Sequence, residues 1–343
     1  MAGNSRDCID CKAAPSCVTV RTRALCEFLQ TKVLRRMDRY RPSGLLEKQS
    51  SAGPKRTAFD LHVLVVDTAS SVAPKSVVES GRLDKIKETY PGHTYTEMPL
   101  HRILEYDASI KGLLSHYSAI PSDNITRSDE EALALFHASF STATARADIK
   151  GILLRRLVVA FATSHECDGI LWGDSDSRLA AKTLANVAKG RGSTLVWDAC
   201  DGMSPWGIYF NFPLRDLYKT ELELFASYAM RTIEPVIERD PQNFGDMSTR
   251  HMSIEDLMSQ YVMTQGAKYP GVMANIVRTV DKLQTPAATD GTLCILCGMP
   301  ADLAADGEPT MPSAEGKTGK VQPTCYGCRR TLLDMKAPAL WSG

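Results

Sequence analysis

Leu61-His62-Val63-Leu64-Val65-Val66-Asp67 is a nearly unbroken apolar run that ends in an acid. Such a run suits a strand buried on both faces of a parallel sheet, with its last residue at the sheet's carboxyl edge. Working outward, Thr94–Met98 reads as a second strand, Gly169–Gly173 as a third and Ser193–Asp198 as a fourth. Between them, Ser128–Ser141, Arg146–Thr163 and Arg178–Lys189 carry helical periodicity, and Gly190 stops the last of these. Asp129, Glu130 and Glu131 stand in an opening turn, where they complement the helix dipole. Strands alternating with helices predict an α/β core with a mainly parallel sheet. Beyond Phe212 the pattern turns helical, over Leu214–Ile233, Ser253–Gln265 and Gly271–Leu283.

Hydrophobic residues make up 43% of the 343 and charged residues 23%, enough apolar material for a sizeable globular core. Lys and Arg number 40, as do Asp and Glu, so any argument for nucleic acid has to be local. The longest apolar run, Gly151–Ala162, carries Arg155 and Arg156 at its centre, which excludes it as a membrane span. Met1–Cys11 is polar and has no apolar signal segment. A reduced, cytoplasmic setting is expected, with no membrane partner.

Four regions follow: a Cys-rich head with a basic helix at 1–41, a polar linker at 42–58, an α/β core with a helical second half at 59–285, and a Cys-bearing tail at 286–343. The basic helix is read over Ala24–Tyr40, with Lys32, Arg35, Arg36 and Arg39 largely off its apolar face. Arg21–Arg41 holds seven basic and two acidic residues, so this stretch reads either as an RNA-facing surface or as a solvated helix face.

Eight of the ten cysteines lie at the two ends of the chain. Cys294-x-x-Cys297 and Cys325-x-x-Cys328 are two knuckles, which together offer four thiolates to one tetrahedral ion such as Zn²⁺. Four thiolates leave no open coordination place, so the site is structural and not catalytic. The 27 residues between the pairs exceed the usual ribbon spacing, but a longer loop adds only about 0.6 kcal/mol per doubling of length. Apolar residues are sparse here, so the metal is expected to supply much of the tail's folding energy. In the head, Cys8-x-x-Cys11 is a knuckle without a matching second one, and Cys17 and Cys26 are the remaining candidate ligands.

Cys167 and Cys200 stand alone beside apolar strands and read as core cysteines before sulfur carriers. His165 reads as a helix-end residue, and Asp174 and Asp176 as N-caps of the following helix before remnants of a nucleotide pocket.

Taken in order, these pieces resemble a known family. Cys8-x-x-Cys11 leads into KVLRRMDRYR (32–41), then HVLVVD (62–67), GILWGDSDSRLA (169–180), KGRG (189–192), FPLRDLYKTEL (212–222) and the closing paired knuckles ending CYGCRR. The set is similar to the cytoplasmic tRNA 2-thiolation protein 2 family. The resemblance implies an adenine-nucleotide α-hydrolase-like (ATP pyrophosphatase) sheet flanked by zinc modules. It implies a heterodimer with a catalytic thiolase subunit, acting on the wobble uridine of tRNAs for lysine, glutamate and glutamine. The sulfur would come from a thiocarboxylated ubiquitin-related modifier. Catalytic relatives hold ATP's pyrophosphate on a Ser-Gly-Gly-x-Asp-Ser loop after their first strand, and this sequence has neither that loop nor an apolar run before residue 60 to supply the strand. The sheet is therefore expected to be incomplete at its first strand. ATP is not expected to be used by this chain, and no residue is assigned a catalytic role. The alternatives are a zinc-ribbon adaptor and an ATP-using sulfurtransferase in its own right.

Overall fold

The computed structural model describes residues 18–20, 23–25, 60–68, 77–117, 128–229, 237, 252–283, 292–301 and 323–335. The first described elements are β1 (Val18–Val20) and β2 (Arg23–Leu25), an antiparallel hairpin that pairs Val18 with Leu25 and Val20 with Arg23. Ala24 and Leu25 thus belong to a strand and not to the start of a helix. β-Branched Val18, Thr19 and Val20 suit a pleated ladder better than a helix, and the hairpin satisfies their backbone groups locally. Cys8, Cys11, Cys17 and Cys26, and Lys32, Arg35, Arg36 and Arg39, lie outside the described residues.

The run at 61–67 forms β3 (His62–Asp67). Helix α1 (Val77–Thr89) crosses over to β4 (Thr94–Pro99), which pairs parallel to β3 from His62 opposite Thr94 to Asp67 opposite Pro99. A 3₁₀ turn and short helices α2 (Ile103–Tyr106) and α3 (Ala108–Tyr117) follow, then α4 (Asp129–Ala138). In α4, Ser128 and Glu131 form a reciprocal capping box.

Helix α5 (Ala143–Ser164) is the 22-residue spine of the molecule, roughly 33 Å long at 1.5 Å per residue. The Thr142 side chain caps it by accepting from the Ala145 amide. His165 closes it, as the sequence suggested. Ile149, Leu153, Leu157 and Phe161 run along its buried face. Burying each such side chain contributes about 1.5–3 kcal/mol.

Strand β5 (Gly169–Leu171) leads to helix α6 (Asp176–Ala188). The N-cap of α6 is Ser175, whose hydroxyl accepts from the Arg178 amide; neither Asp174 nor Asp176 caps it. The stretch read as a strand at Ser193–Asp198 is a 3₁₀ turn running into helix α7 (Leu195–Ala199). After it come β6 (Gly202–Met203) and β7 (Tyr209–Asn211), with β7 parallel to β5 and antiparallel to β6. Helices α8 (Lys219–Ala229), α9 (Ile254–Lys268) and α10 (Pro270–Val280) follow, and α11 (Tyr326–Leu332) is the last described element.

The sheet is in two pieces, β3–β4 and β5–β7–β6. Parallel pairing joins β3 to β4 and β5 to β7, a strand the sequence did not reveal, and β6 adds an antiparallel edge, so the mainly parallel sheet expected from the sequence is met only in part among the described residues. Among the described residues β3 and β5 each pair on one side only. Two apolar clusters fill the interior. One joins α2, α3 and α4 to the inner face of α5, and it also contains Cys294, Leu296, Met299, Cys328 and Leu332. The other packs β5 and β7 against α6, α9 and α10. The tail knuckles thus share a core with α5, where the sequence suggested little apolar support for them. No helix among the described residues is long and apolar enough to cross a membrane.

Candidate metal centre

Cys294, Cys297, Cys325 and Cys328 are all buried, and their sulfurs lie within 4.8 Å of one another. The first knuckle is a tight turn. The Gly298 amide donates to the Cys294 carbonyl at 2.8 Å, and the Cys294 amide to the Met299 carbonyl at 2.8 Å. Gly298 sits at φ +68°, in the left-handed region that favours glycine. The second knuckle opens α11. Cys325 is its N-cap, with its sulfur accepting from the Cys328 amide at 3.5 Å. The Ile295 amide donates to the Pro323 carbonyl at 3.0 Å and ties the two knuckles together. Arg156, from the middle of α5, donates to the Ile295 carbonyl at 2.5 Å and to the Leu296 carbonyl at 3.2 Å, clamping the first knuckle to the spine.

A single Zn²⁺ with Zn–S bonds of about 2.3 Å sets its sulfurs at tetrahedron corners about 3.8 Å apart. The Cys297 and Cys325 sulfurs are 3.6 Å apart, so the four donors fit one tetrahedral ion with little movement. Hydrogen bonds among the sulfurs split the thiols. Those of Cys294 and Cys325 are held below the usual range, while Cys297 and Cys328 are pushed well above it, Cys328 by burial first. A bound divalent cation deprotonates its thiol ligands outright, and four converging buried sulfurs offer it a complete donor set. That chemistry fits a thiolate-bound metal.

Among the described residues, one cation reaches this cluster. Arg191, only 6% exposed, points Nη1 at the Cys328 sulfur from 3.4 Å. Its other side is held by Asp148 of α5, with Nε 3.1 Å from Oδ1 and Nη2 2.5 Å from Oδ2. The Thr331 hydroxyl stands 2.7 Å from Asp148 Oδ2, and Lys189 Nζ 2.8 Å from Oδ1. Burial pushes the Asp148 carboxyl up, but the Arg191 and Lys189 charges outweigh it and hold its pKa below the ordinary value. Burial likewise works against the Arg191 charge, and the Cys328 sulfur and Asp148 more than restore it. A Cβ at position 327 would lie 2.6 Å from Arg191 Cγ, so the glycine in C-Y-G-C makes room for this arginine. Sequence reading singled out the knuckles, and quoted Arg191 within KGRG, but gave it no role; Asp148 carried no signal at all.

Beside the centre lies a cleft of about 240 Å³, with Cys297 and Met299 in its wall. Trp172 and Phe212, the residues that follow parallel strands β5 and β7, also line it, so it opens at their carboxyl ends, where sheets of this kind bind ligands. Its cations are already tied to its own carboxylates: Arg155 to Asp198, Arg178 and Lys182 to Asp174, Lys189 and Arg191 to Asp148.

The sequence profile described as cytoplasmic tRNA 2-thiolation protein 2 matches residues 253–320. A protein of that name from Coccidioides immitis is 62% identical over 374 positions, covering 98% of this chain and all of that relative. Another from Ajellomyces capsulatus is 45% identical, covering 90% of this chain and 95% of the relative. The chain belongs to the cytoplasmic tRNA 2-thiolation protein 2 family. The first of these alignments is longer than the 343 residues here, so that member of the 2-thiolation protein 2 family carries residues with no counterpart in this chain. A solved structure also aligns with 80% of the chain and 87% of its own length, at TM-score 0.51 and 14% identity. It is the U34-tRNA thiolase NcsA from Methanococcus maripaludis with its [4Fe-4S] cluster, and the likeness is one of fold.

The two lone cysteines are not activated. Burial pushes the Cys200 thiol up to about 12, and Asp281 adds to the shift. Burial also raises Cys167, with Asp168 adding to it.

Proposed function

We propose that this chain is the non-catalytic, metal-stabilised subunit of the cytoplasmic machinery that 2-thiolates the wobble uridine of tRNAs for lysine, glutamate and glutamine. A catalytic partner carries the ATP chemistry and takes sulfur from a thiocarboxylated ubiquitin-related modifier. The observation that carries the non-catalytic role is the cleft at the ends of β5 and β7. Each of its cations is already paired with a carboxylate of the lining, Lys189 with both Asp148 and Glu255, so most of its positive charge is compensated before a phosphate arrives. The missing Ser-Gly-Gly-x-Asp-Ser loop supports the same reading.

Cys294, Cys297, Cys325 and Cys328 would hold a structural Zn²⁺, which supplies rigidity and no open coordination place. A four-iron cluster is itself several ångström across and would hold its thiolates farther apart than one ion does. Cys8, Cys11, Cys17 and Cys26 are proposed as a second metal site, and Lys32, Arg35, Arg36 and Arg39 as an RNA-facing surface. The test is reconstitution with the catalytic partner. The heterodimer should thiolate tRNA, and either chain alone should not. Metal analysis should give two zinc ions per copy of this chain, falling to one when Cys325 and Cys328 are both changed to Ser. Uridine adenylation by this chain alone would overturn the assignment.

A further inference from the structure

The short helix α11 presents a charged aromatic face that the metal centre does not use. Cys325 and Cys328 turn inward, and Gly327, Thr331 and Leu332 are buried with them. The opposite face carries Tyr326, half exposed, then Arg329, Arg330 and the 75%-exposed Leu333. Spacings of three, four and seven residues set these four side by side. Both guanidinium carbons lie 5.9 Å from the centre of the Tyr326 ring, so the ring is flanked by two cations. No carboxylate of the described residues forms an ion pair with either arginine, in contrast to the five paired cations of the neighbouring cleft. The patch has a rigid base. The Tyr326 ring roofs the turn at Gly190, where a Cβ would meet its carbon at 2.5 Å, and the same turn leads into the buried Arg191–Asp148 pair.

We propose that Tyr326, Arg329 and Arg330 form an RNA-contacting surface, in which the two arginines take backbone phosphates and the tyrosine ring stacks on an unpaired base. A flat aromatic face between two unpaired cations matches single-stranded RNA, which offers a π-face and a phosphate at each nucleotide. The patch rests on the thiolation reading and names one place where tRNA touches this subunit.

The test is tRNA binding by the intact heterodimer over a series of salt concentrations. Changing both Arg329 and Arg330 to Gln removes two phosphate contacts, so the slope of log affinity against log salt should fall by about 1.5. The paired Lys variants keep the charge and should restore that slope. Tyr326→Ala should weaken binding about tenfold with the slope unchanged, as expected for a lost stacking contact. Metal content, measured for each variant, should stay at the wild-type value. Wild-type affinity and slope in the Gln pair and in Tyr326→Ala would overturn the proposal, as would loss of the catalytic subunit from these variants, which marks the patch as a protein interface. Failure of the wild-type heterodimer to bind tRNA would remove the thiolation reading beneath it.

Discussion

At the scale of single residues, the decisive contact is the one between Arg191 and the sulfurs. A tetrathiolate holding Zn²⁺ would carry a net charge of minus two, and the four sulfurs here are buried among Leu296, Met299 and Leu332. A buried anion needs a compensating cation, and Arg191 is the one aimed at it. Arg191→Met should therefore speed chelator-driven metal release by tenfold or more, and Arg191→Lys should recover part of the loss. Asp148 acts one step back, by fixing the guanidinium. Asp148→Asn removes the carboxylate of the buried Arg191 pair, while Lys189 keeps Glu255, and should cost about 3–5 kcal/mol of stability. Its pH signature has a definite sign. The folded pKa of Asp148 is depressed, so its contribution is complete above the ordinary value of 3.8 and is lost as pH falls through the lower folded value. Acid titrations of wild type and Asp148→Asn should begin to approach each other below pH 3.8 and meet only below the depressed folded value. Cys200 gives the opposite kind of prediction. With its thiol pushed up to about 12, it stays protonated at neutral pH and is a poor nucleophile. Cys200→Ala should leave thiolation by the heterodimer within twofold of wild type, and loss of thiolation with the complex intact would revive the sulfur-carrier alternative.

At the scale of elements, the long apolar runs were readable and the short ones were not. HVLVVD marked β3 because four consecutive β-branched and leucine residues, Val63 to Val66, suit a strand flanked by helices in an α/β chain. Leu195–Ala199 is just as apolar but forms a single helical turn and a little more. At five residues, periods of two and 3.6 cannot be told apart, so tertiary packing decided it. β7 escaped notice for the same reason, being three residues long. The paired knuckles were legible because their spacing is itself the chemistry, whereas Asp148 and Arg191 stand 43 residues apart and only folding joins them. The stretch before residue 60, where no first strand is expected, lies almost wholly outside the described residues, and the described strands beyond it divide between β3–β4 and β5–β7–β6. Hydrogen exchange should reflect that. β7, bonded on both sides, should hold its amide protons longest, while β3 and β5 should show fast and slow amides in alternation, since every second amide of a singly paired strand faces away from its neighbour. Uniform protection along β3 would mean that another segment covers its open edge.

At the scale of the molecule, the metal centre is placed so that its loss reaches far beyond the tail. An independent zinc ribbon would melt by itself and leave the α/β core untouched. Here the same cluster holds Leu296, Met299 and Leu332 of the knuckles together with Phe140, Ile149, Leu153 and Leu157 around the spine helix. Arg156 fastens the first knuckle to the middle of that helix. Asp334, just past α11, accepts from the Ser141 and Thr142 amides at 3.1 and 2.9 Å, at the helix's beginning. Structural Zn²⁺ contributes about 10–16 kcal/mol in small sites, as much as the roughly 5–15 kcal/mol that keeps a whole domain folded. Stripping the metal should therefore lower the main unfolding transition of the heterodimer-bound chain, not merely remove a small early one. Calorimetry of zinc-loaded and chelator-treated protein distinguishes the two cases. A core transition that stays at the same temperature after the metal is gone would show that the knuckles are passengers on the fold, and that α5 owes them nothing.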